Sequence, residues 1–396
     1  MERAEVVCNF DMLTGVRGIA VLHGKVCVVL HEDSRVHMVH FEESHLIDDC
    51  AIDIVTAECN KLQWPSDIVA NQHYPLLYIS DRCPHSSESG VNRPGLFTLH
   101  TPSRRVVFTD IDGVTPAGMS VTVSNQLLVA CEHRQHTGRS LRLFSAPEDG
   151  QLLINRIINL SKLDWYLLQP VMFDSNLFVV SQLQKKKNLH RICMVDDDGI
   201  ERARSFGGTK RSAWPSVRSP WGVIIDPLNS QRLLLSNCHE HKVTLLDSKL
   251  NYLRDLVSPE TCINHDFVFL CPRCLCFDHE ADLLYVGRRW KGIRGEELSA
   301  VLGAITVFRV VDASSSGPRE LDDRDGEDAV SPVDDASRHC STRSAVPRDD
   351  LEQNHNSGIR LRNYCSSGDG TAATCCCKLT IYRRNSSSKI IPKYFC

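Results

Sequence analysis

Few features of this 396-residue chain commit it to a particular chemistry. It has no apolar run near the ~20 residues that a membrane helix requires, so a helical membrane protein is not expected. The opening MERAEVVCNF carries two glutamates and no apolar segment of the length a secretory leader uses. The expected compartment is therefore the cytosol or the nucleus. Net charge is small: 45 Lys plus Arg face 49 Asp plus Glu, a formal −4. That balance argues against a chain that holds nucleic acid by bulk positive field. There is no phosphate loop, no Gly-x-Ser-x-Gly elbow and no His-Glu-x-x-His helix. No catalytic residue, metal ligand or cofactor is assigned.

Cysteine is plentiful. There are 18, of which Cys340, Cys365, Cys375, Cys376, Cys377 and Cys396 lie after residue 311. The rest are scattered, mostly inside apolar runs such as Val26-Cys27-Val28 and Val129-Ala130-Cys131. A free thiol packs as a small hydrophobe. With no leader, these are read as reduced, buried cysteines and not as a disulfide framework.

The clearest pattern lies between Ser219 and Leu256, SPWGVIIDPLNSQRLLLSNCHEHKVTLLDSKLNYLRDL. Four short apolar runs alternate there with turn residues, the signature of a strand series. The same grammar recurs with openings near Gly18, Pro65, Pro116, Pro170, Pro220 and Pro272, about 50 residues apart. Four strands per unit and six units predict an all-β, six-bladed propeller of antiparallel blades over residues 1–311. The sixth unit lacks a fourth strand after Ala304 to Val310, and Ala4 to Phe10 is a strand left over at the start. The N-terminal strand is expected to complete blade six and close the ring. Three turns read as enlarged: Arg82–Pro94, Arg134–Arg139 and Arg288–Ala300.

The residues of unit five carry a resemblance. Pro220-Trp221-Gly222-Val223-Ile224-Ile225-Asp226, then Leu233 to Asn237, His241-Lys242-Val243 and Leu246-Asp247 resemble an NHL repeat. The end of unit four, Asp197-Asp198-Gly199 through Phe206-Gly207, is similar to the family's blade ending. The likeness is good over residues 195–256 and confined to spacing elsewhere. It implies a propeller of the kind found at the C-terminus of tripartite-motif proteins, here without a RING, B-box or coiled coil. It also implies a non-catalytic, monomeric platform for a protein or peptide partner, such as the substrate-recognition part of a ubiquitin-ligase system. Two further readings go with such propellers. Some bind single-stranded RNA through one basic face. Others are lactonase-type hydrolases with metal-bound acids and amides at the channel.

The candidate contacts for a partner or RNA are the basic clusters: Arg104 and Arg105; Lys185, Lys186 and Lys187; Lys210, Arg211 and Arg218; and Arg288, Arg289, Trp290 and Lys291. Solvated loop charges are the plainer account of each. The channel positions Asp67, Ser120, Gly222 and the neighbours of Arg273 are not the set of acids and amides a lactonase needs. Cys271-Pro272-Arg273-Cys274 with Cys276, His265 and His279 suggests zinc, but only one Cys pair is present where a structural site wants four ligands. On a strand, Cys274 and Cys276 share a side that Cys271 does not. Cys238-His239-Glu240-His241 reads as a blade turn, as do His85 near Cys83 and His133 and His136 near Cys131. From Asp312 onward the chain is rich in Ser, Asp, Pro and Gly, and disorder is expected over 312–396.

Overall fold

The computed structural model describes residues 2–12, 14–31, 33–42, 45–56, 60–71, 73–83, 93–133, 138–145, 147–160, 165–184, 189–207, 219–262, 265, 267, 269–294 and 297–312, with 378–379 and 394–395. Among them helix is confined to two 3₁₀ turns, Cys238–Glu240 and Glu260–Cys262. No helix there is long and apolar enough to cross a membrane.

The strands form six antiparallel blades of four. Strand β1 (Glu2–Met12) stands apart at the start. Blade one is β2 (Val16–Leu22), β3 (Lys25–Leu30), β4 (Arg35–Glu42) and β5 (His45–Asp53). Blade two is β6 (Pro65–Ala70), β7 (Leu76–Asp81), β8 (Gly95–His100) and β9 (Arg105–Asp110). Blade three is β10 (Val114–Val121), β11 (Leu127–His133), β12 (Arg139–Ser145) and β13 (Leu153–Asn159). Blade four is β14 (Tyr166–Asp174), β15 (Leu177–Gln184), β16 (Leu189–Asp196) and β17 (Glu201–Gly207). Blade five is β18 (Pro220–Ile225), β19 (Arg232–Asn237), β20 (Lys242–Asp247) and β21 (Tyr252–Val257). Blade six has β22 (Pro272–Asp278), β23 (Leu283–Arg294) and β24 (Glu297–Asp312), and β1 is its fourth strand. The expected closure is present: Val6 faces Phe308 and Phe10 faces Ile305, with a bulge between Val6 and Cys8.

Stacking explains the continuous apolar runs. A strand in mid-blade has a neighbouring blade on each side, and successive side chains point opposite ways. In β3, Val26, Val28 and Leu30 enter the core shared with blade six, while Cys27 and Val29 enter the core shared with blade two. In β19, Leu233 and Leu235 face blade four, and Leu234 faces blade six. Six cores fill the six blade interfaces. Cys27, Cys131, Cys193 and Cys274 are members of them, as the expectation of buried thiols requires. Cys274 and Cys276 both turn toward the core between blades six and one.

The innermost strands β2, β6, β10, β14, β18 and β22 touch in sequence and back to the first, so they line the axis. Each slips register near its start: Val16/Gly18, Pro65/Asp67, Pro116/Met119, Leu167/Pro170, Pro220/Val223 and Pro272/Cys274. These six bulges meet across the blade junctions. A Cβ on Gly118 would lie 2.0 Å from the Leu168 carbonyl oxygen, and one on Gly222 would lie 2.7 Å from that of Arg273. Serines on the second strands clamp the same junctions. Ser80 Oγ donates to the Ala117 carbonyl at 2.8 Å, Ser181 to that of Trp221 at 2.8 Å and Ser236 to that of Arg273 at 2.9 Å.

One expectation is corrected. Residues 288–300 are not an enlarged turn. Strands β23 and β24 continue pairing past the end of β22, from Arg289 opposite Gly303 to Arg294 opposite Glu297. Backbone pairing sustains this ribbon, so the glycines and charges that suggested a loop do not interrupt it. The turns expected at Arg82–Pro94 and Arg134–Arg139 fall mostly outside the described residues, as does nearly all of 313–396. Within the latter, Lys378–Leu379 pairs with Tyr394–Phe395, and Phe395 lies opposite Lys291.

Candidate functional site

Topology sorts the loops. In every blade the first strand starts, the second ends, the third starts and the fourth ends on one face of the ring. On this face, here the entry face, each innermost strand begins. The opposite face carries the turns between the third and fourth strands. Arg104 and Arg105 lie in such a turn, between β8 and β9, away from Arg288 and Arg289 at the entry-face end of β23. One basic surface joining all the candidate residues is therefore excluded. Arg104 adopts a left-handed turn conformation (φ 54), and Arg105 lines a hollow with His100, Glu148 and Asp149.

Arg288 is also reassigned. It is 1% exposed, its guanidinium donates to Asn9 Oδ1, and it lies 5.1 and 5.6 Å from the Phe267 and Phe269 ring centroids. It ties β23 to the closing strand and is out of a ligand's reach. Arg289 remains partly exposed at the mouth. The backbone of Trp290 and Lys291 belongs to the ribbon, but their side chains fall outside the described set. Lys185, Lys186, Lys187, Lys210, Arg211 and Arg218 also lie outside the described residues.

The structure instead gathers an arginine collar at the channel mouth. Arg273 occupies the bulge of β22, and its Cζ sits 3.7 Å above the centre of the Trp221 ring in the bulge of β18. That is a close cation–π stack. The Arg273 guanidinium makes no hydrogen bond or ion pair among the described residues. Burial, then the charges of Arg289 and Arg82, pull its pKa down to about 9. Arg17, in the bulge of β2, is the third member: it acts with Arg289 and Arg273 on His31, whose pKa falls to about 3, chiefly through burial. His31 meets Trp64 edge-on at 6.0 Å. Arg82 is paired, its Nη2 donating to Glu132 at 2.9 Å. Further out, Arg191 stacks on Trp165 at 4.2 Å and Arg139 on Tyr166 at 5.0 Å.

The carboxylate at the level of the bulges is Asp67. Its two oxygens accept the Met119 N–H at 2.7 Å and the Ile68 N–H at 2.9 Å, which fixes blade two against blade three. Burial lifts its pKa to about 7 against the pull of those N–H groups. Gly222 packs on the Arg273 backbone, while Ser120 lies beyond the bulge, paired with Leu128. Among the described residues, the metal-type cluster of acids is Asp196, Asp197 and Asp198, far from the axis in a third-to-fourth-strand turn. It is already engaged by Arg202 and Arg156. Cys238-His239-Glu240 is a 3₁₀ turn closed by His241 at φ 57.

Sequence reasoning missed Arg17 and Trp221 and named Arg273 only as a landmark. The signal was positional. These residues occupy the start of an innermost strand, directly before Gly18 or after the opening prolines Pro220 and Pro272.

No family model matches the chain, and no curated protein matches it. Among solved structures the chain is similar to a gluconolactonase from Xanthomonas campestris, at 12% identity over 77% of this chain and 89% of that one, with a TM-score of 0.49. It is similar to an auxiliary nutrient binding protein from Bacteroides thetaiotaomicron at 10% identity, over 78% and 77%, with a TM-score of 0.49. The WD40 domain of Toxoplasma gondii coronin matches at 8% identity, over 75% and 70%, with a TM-score of 0.43. The six-bladed assignment rests on the strand ladders described above.

Proposed function

We propose that the chain is a non-catalytic recognition platform whose entry face binds a carboxylate-bearing segment of a protein partner. The observation that carries this reading is Arg273, stacked on Trp221 with its guanidinium unmatched by any described acceptor. A stacked guanidinium presents a planar fork suited to a carboxylate or phosphate. Arg17 and Arg289 add positive charge around it, and the low-dielectric walls of the mouth concentrate that field. Among the described residues, the carboxylate at the bulges of the innermost strands is Asp67, and it is already bonded to two backbone N–H groups. Membership of the NHL repeats and a role in presenting a partner to a ubiquitin ligase belong to the same proposal, and rest on the unit-five residues.

The test is a titration of the full chain with a glutamate-rich peptide, followed by Trp221 fluorescence and calorimetry. Binding is expected to weaken as salt rises and to be lost in Arg273→Ala, while Arg104→Ala binds as the parent does. Failure of the parent to bind at low salt would sink the reading. Single-stranded RNA is the second reading, favoured by the aromatic rings beside the arginines. Retention of an RNA pool at low salt, with no peptide binding, would select it.

A further inference from the structure

The face opposite the collar carries a hollow of 440 Å³ between blades two and three. That volume lies in the range of small-molecule sites. Its floor is Leu76 at the start of β7 and Thr98 in β8, each 1% exposed. Its far wall is the turn that joins β12 to β13. There the Gly150 N–H donates to the Pro147 carbonyl at 2.9 Å, and Gly150 takes φ 79. A Cβ on Gly150 would lie 3.0 Å from Thr98 Cγ2, so the blade-three turn rests directly on blade two.

The two sides of the hollow carry opposite charge. On blade two the Ser103 N–H donates to His100 Nδ1 at 3.3 Å, and Ser103 Oγ lies 2.6 Å from the same nitrogen. His100 Nδ1 is thereby an acceptor, which in the neutral ring leaves the proton on Nε2. His100 Nε2–H and the Arg105 guanidinium are therefore both donors on this side. On blade three stand the carboxylates of Glu148 and Asp149. Asp149 Oδ1 accepts the Gln151 N–H at 2.9 Å, which leaves Oδ2 for another donor. Among the described residues, Arg105 makes no ion pair with Glu148 or Asp149. Opposite charges that line one hollow without closing on each other complement a ligand that carries both signs. Beneath them, the buried Thr98 Oγ1 has no hydrogen-bond partner among the described residues. A buried hydroxyl left unpaired is costly, so the floor favours a ligand that brings a polar group to it.

We propose that this hollow binds a free α-amino acid with an uncharged polar side chain. The α-carboxylate takes the Arg105 fork and the His100 Nε2–H, an arrangement in which the planar guanidinium sets the orientation. The α-ammonium takes Glu148 and Asp149 Oδ2. The side chain runs over Leu76 and Val107 and ends at Thr98 Oγ1. A residue inside a polypeptide lacks both terminal charges, so the site selects the free amino acid. It lies between β8, β9 and the β12–β13 turn, on the face of the ring away from Arg273.

The experiment is calorimetric titration of the full chain with L-glutamine, N-acetyl-L-glutamine, L-glutaminamide and L-leucine. Saturable binding of L-glutamine is expected. The acetylated and amidated forms, each short of one charge, should bind roughly tenfold or more weakly. L-Leucine should bind more weakly than L-glutamine, and Thr98→Val should remove that difference. Arg105→Ala and Glu148→Ala change exposed side chains, so the fold should stand while affinity for L-glutamine falls by a similar factor. Three outcomes overturn the proposal: no saturable heat at millimolar L-glutamine, equal binding of the blocked forms, or undiminished binding in both charge variants. None of these readings involves the collar, so the result is independent of the proposed function.

Discussion

Asp81 illustrates how one side chain sets the entry face. It ends β7, is 1% exposed, and accepts the N–H groups of Gln63 at 3.0 Å, Trp64 at 2.8 Å and Cys83 at 3.1 Å. Asp81→Ala leaves the buried Cys83 N–H and the part-buried N–H groups of Gln63 and Trp64 without this acceptor and should cost about 2 kcal/mol in urea unfolding. Asp67 makes a pH prediction. Its folded pKa of about 7 exceeds its ordinary 3.8, so the folded state binds the extra proton between those values. Its contribution to stability is full below about 4 and is lost as pH rises to about 7. Urea midpoints at several pH values should show parent stability falling, relative to Asp67→Asn, across that window. A constant difference between the two would contradict the assignment. Neither role could be read from sequence, because both depend on which backbone N–H groups the neighbouring segments bring to the carboxylate.

At the scale of strands, the junctions between innermost strands are the intolerant parts. Gly118 has the Leu168 carbonyl oxygen where its Cβ would stand. Gly118→Ala therefore forces blades three and four apart and should destabilise the fold by about 3 kcal/mol, read from the thermal midpoint. Ser236→Ala removes the donor to Arg273 and leaves a buried carbonyl short of one partner, at a cost of about 1 kcal/mol. Strand existence was legible because two-sided burial writes unbroken runs such as Leu233 to Leu235. The bulges were not, since a register slip depends on how closely the next blade approaches. The 289–302 ribbon was misread for a related reason. Its glycines and charges look like a turn, yet a two-stranded ladder needs only backbone partners, which Trp290 and Leu302 provide to each other.

At the scale of the ring, closure depends on a strand made first pairing with strands made last. Deleting residues 1–12 should leave β24 with a bare edge and strip Val7, Cys8 and Phe10 from the core between blades six and one. The truncated chain should unfold at lower urea and recover when a peptide of residues 2–12 is added in trans. No recovery, with a normal circular dichroism spectrum, would show that β1 is dispensable. The missing fourth strand of unit six made this closure readable in advance, whereas the collar depended on arginines from blades one, two and six meeting only in the assembled ring. The pairing of Glu2 with Asp312 has a geometric corollary. Paired residues lie about 5 Å apart, so the polypeptide enters and leaves the propeller at nearly one point. Such a body can be spliced into a surface loop of a host protein, or have its termini joined and be reopened at another turn, with almost no gap to bridge.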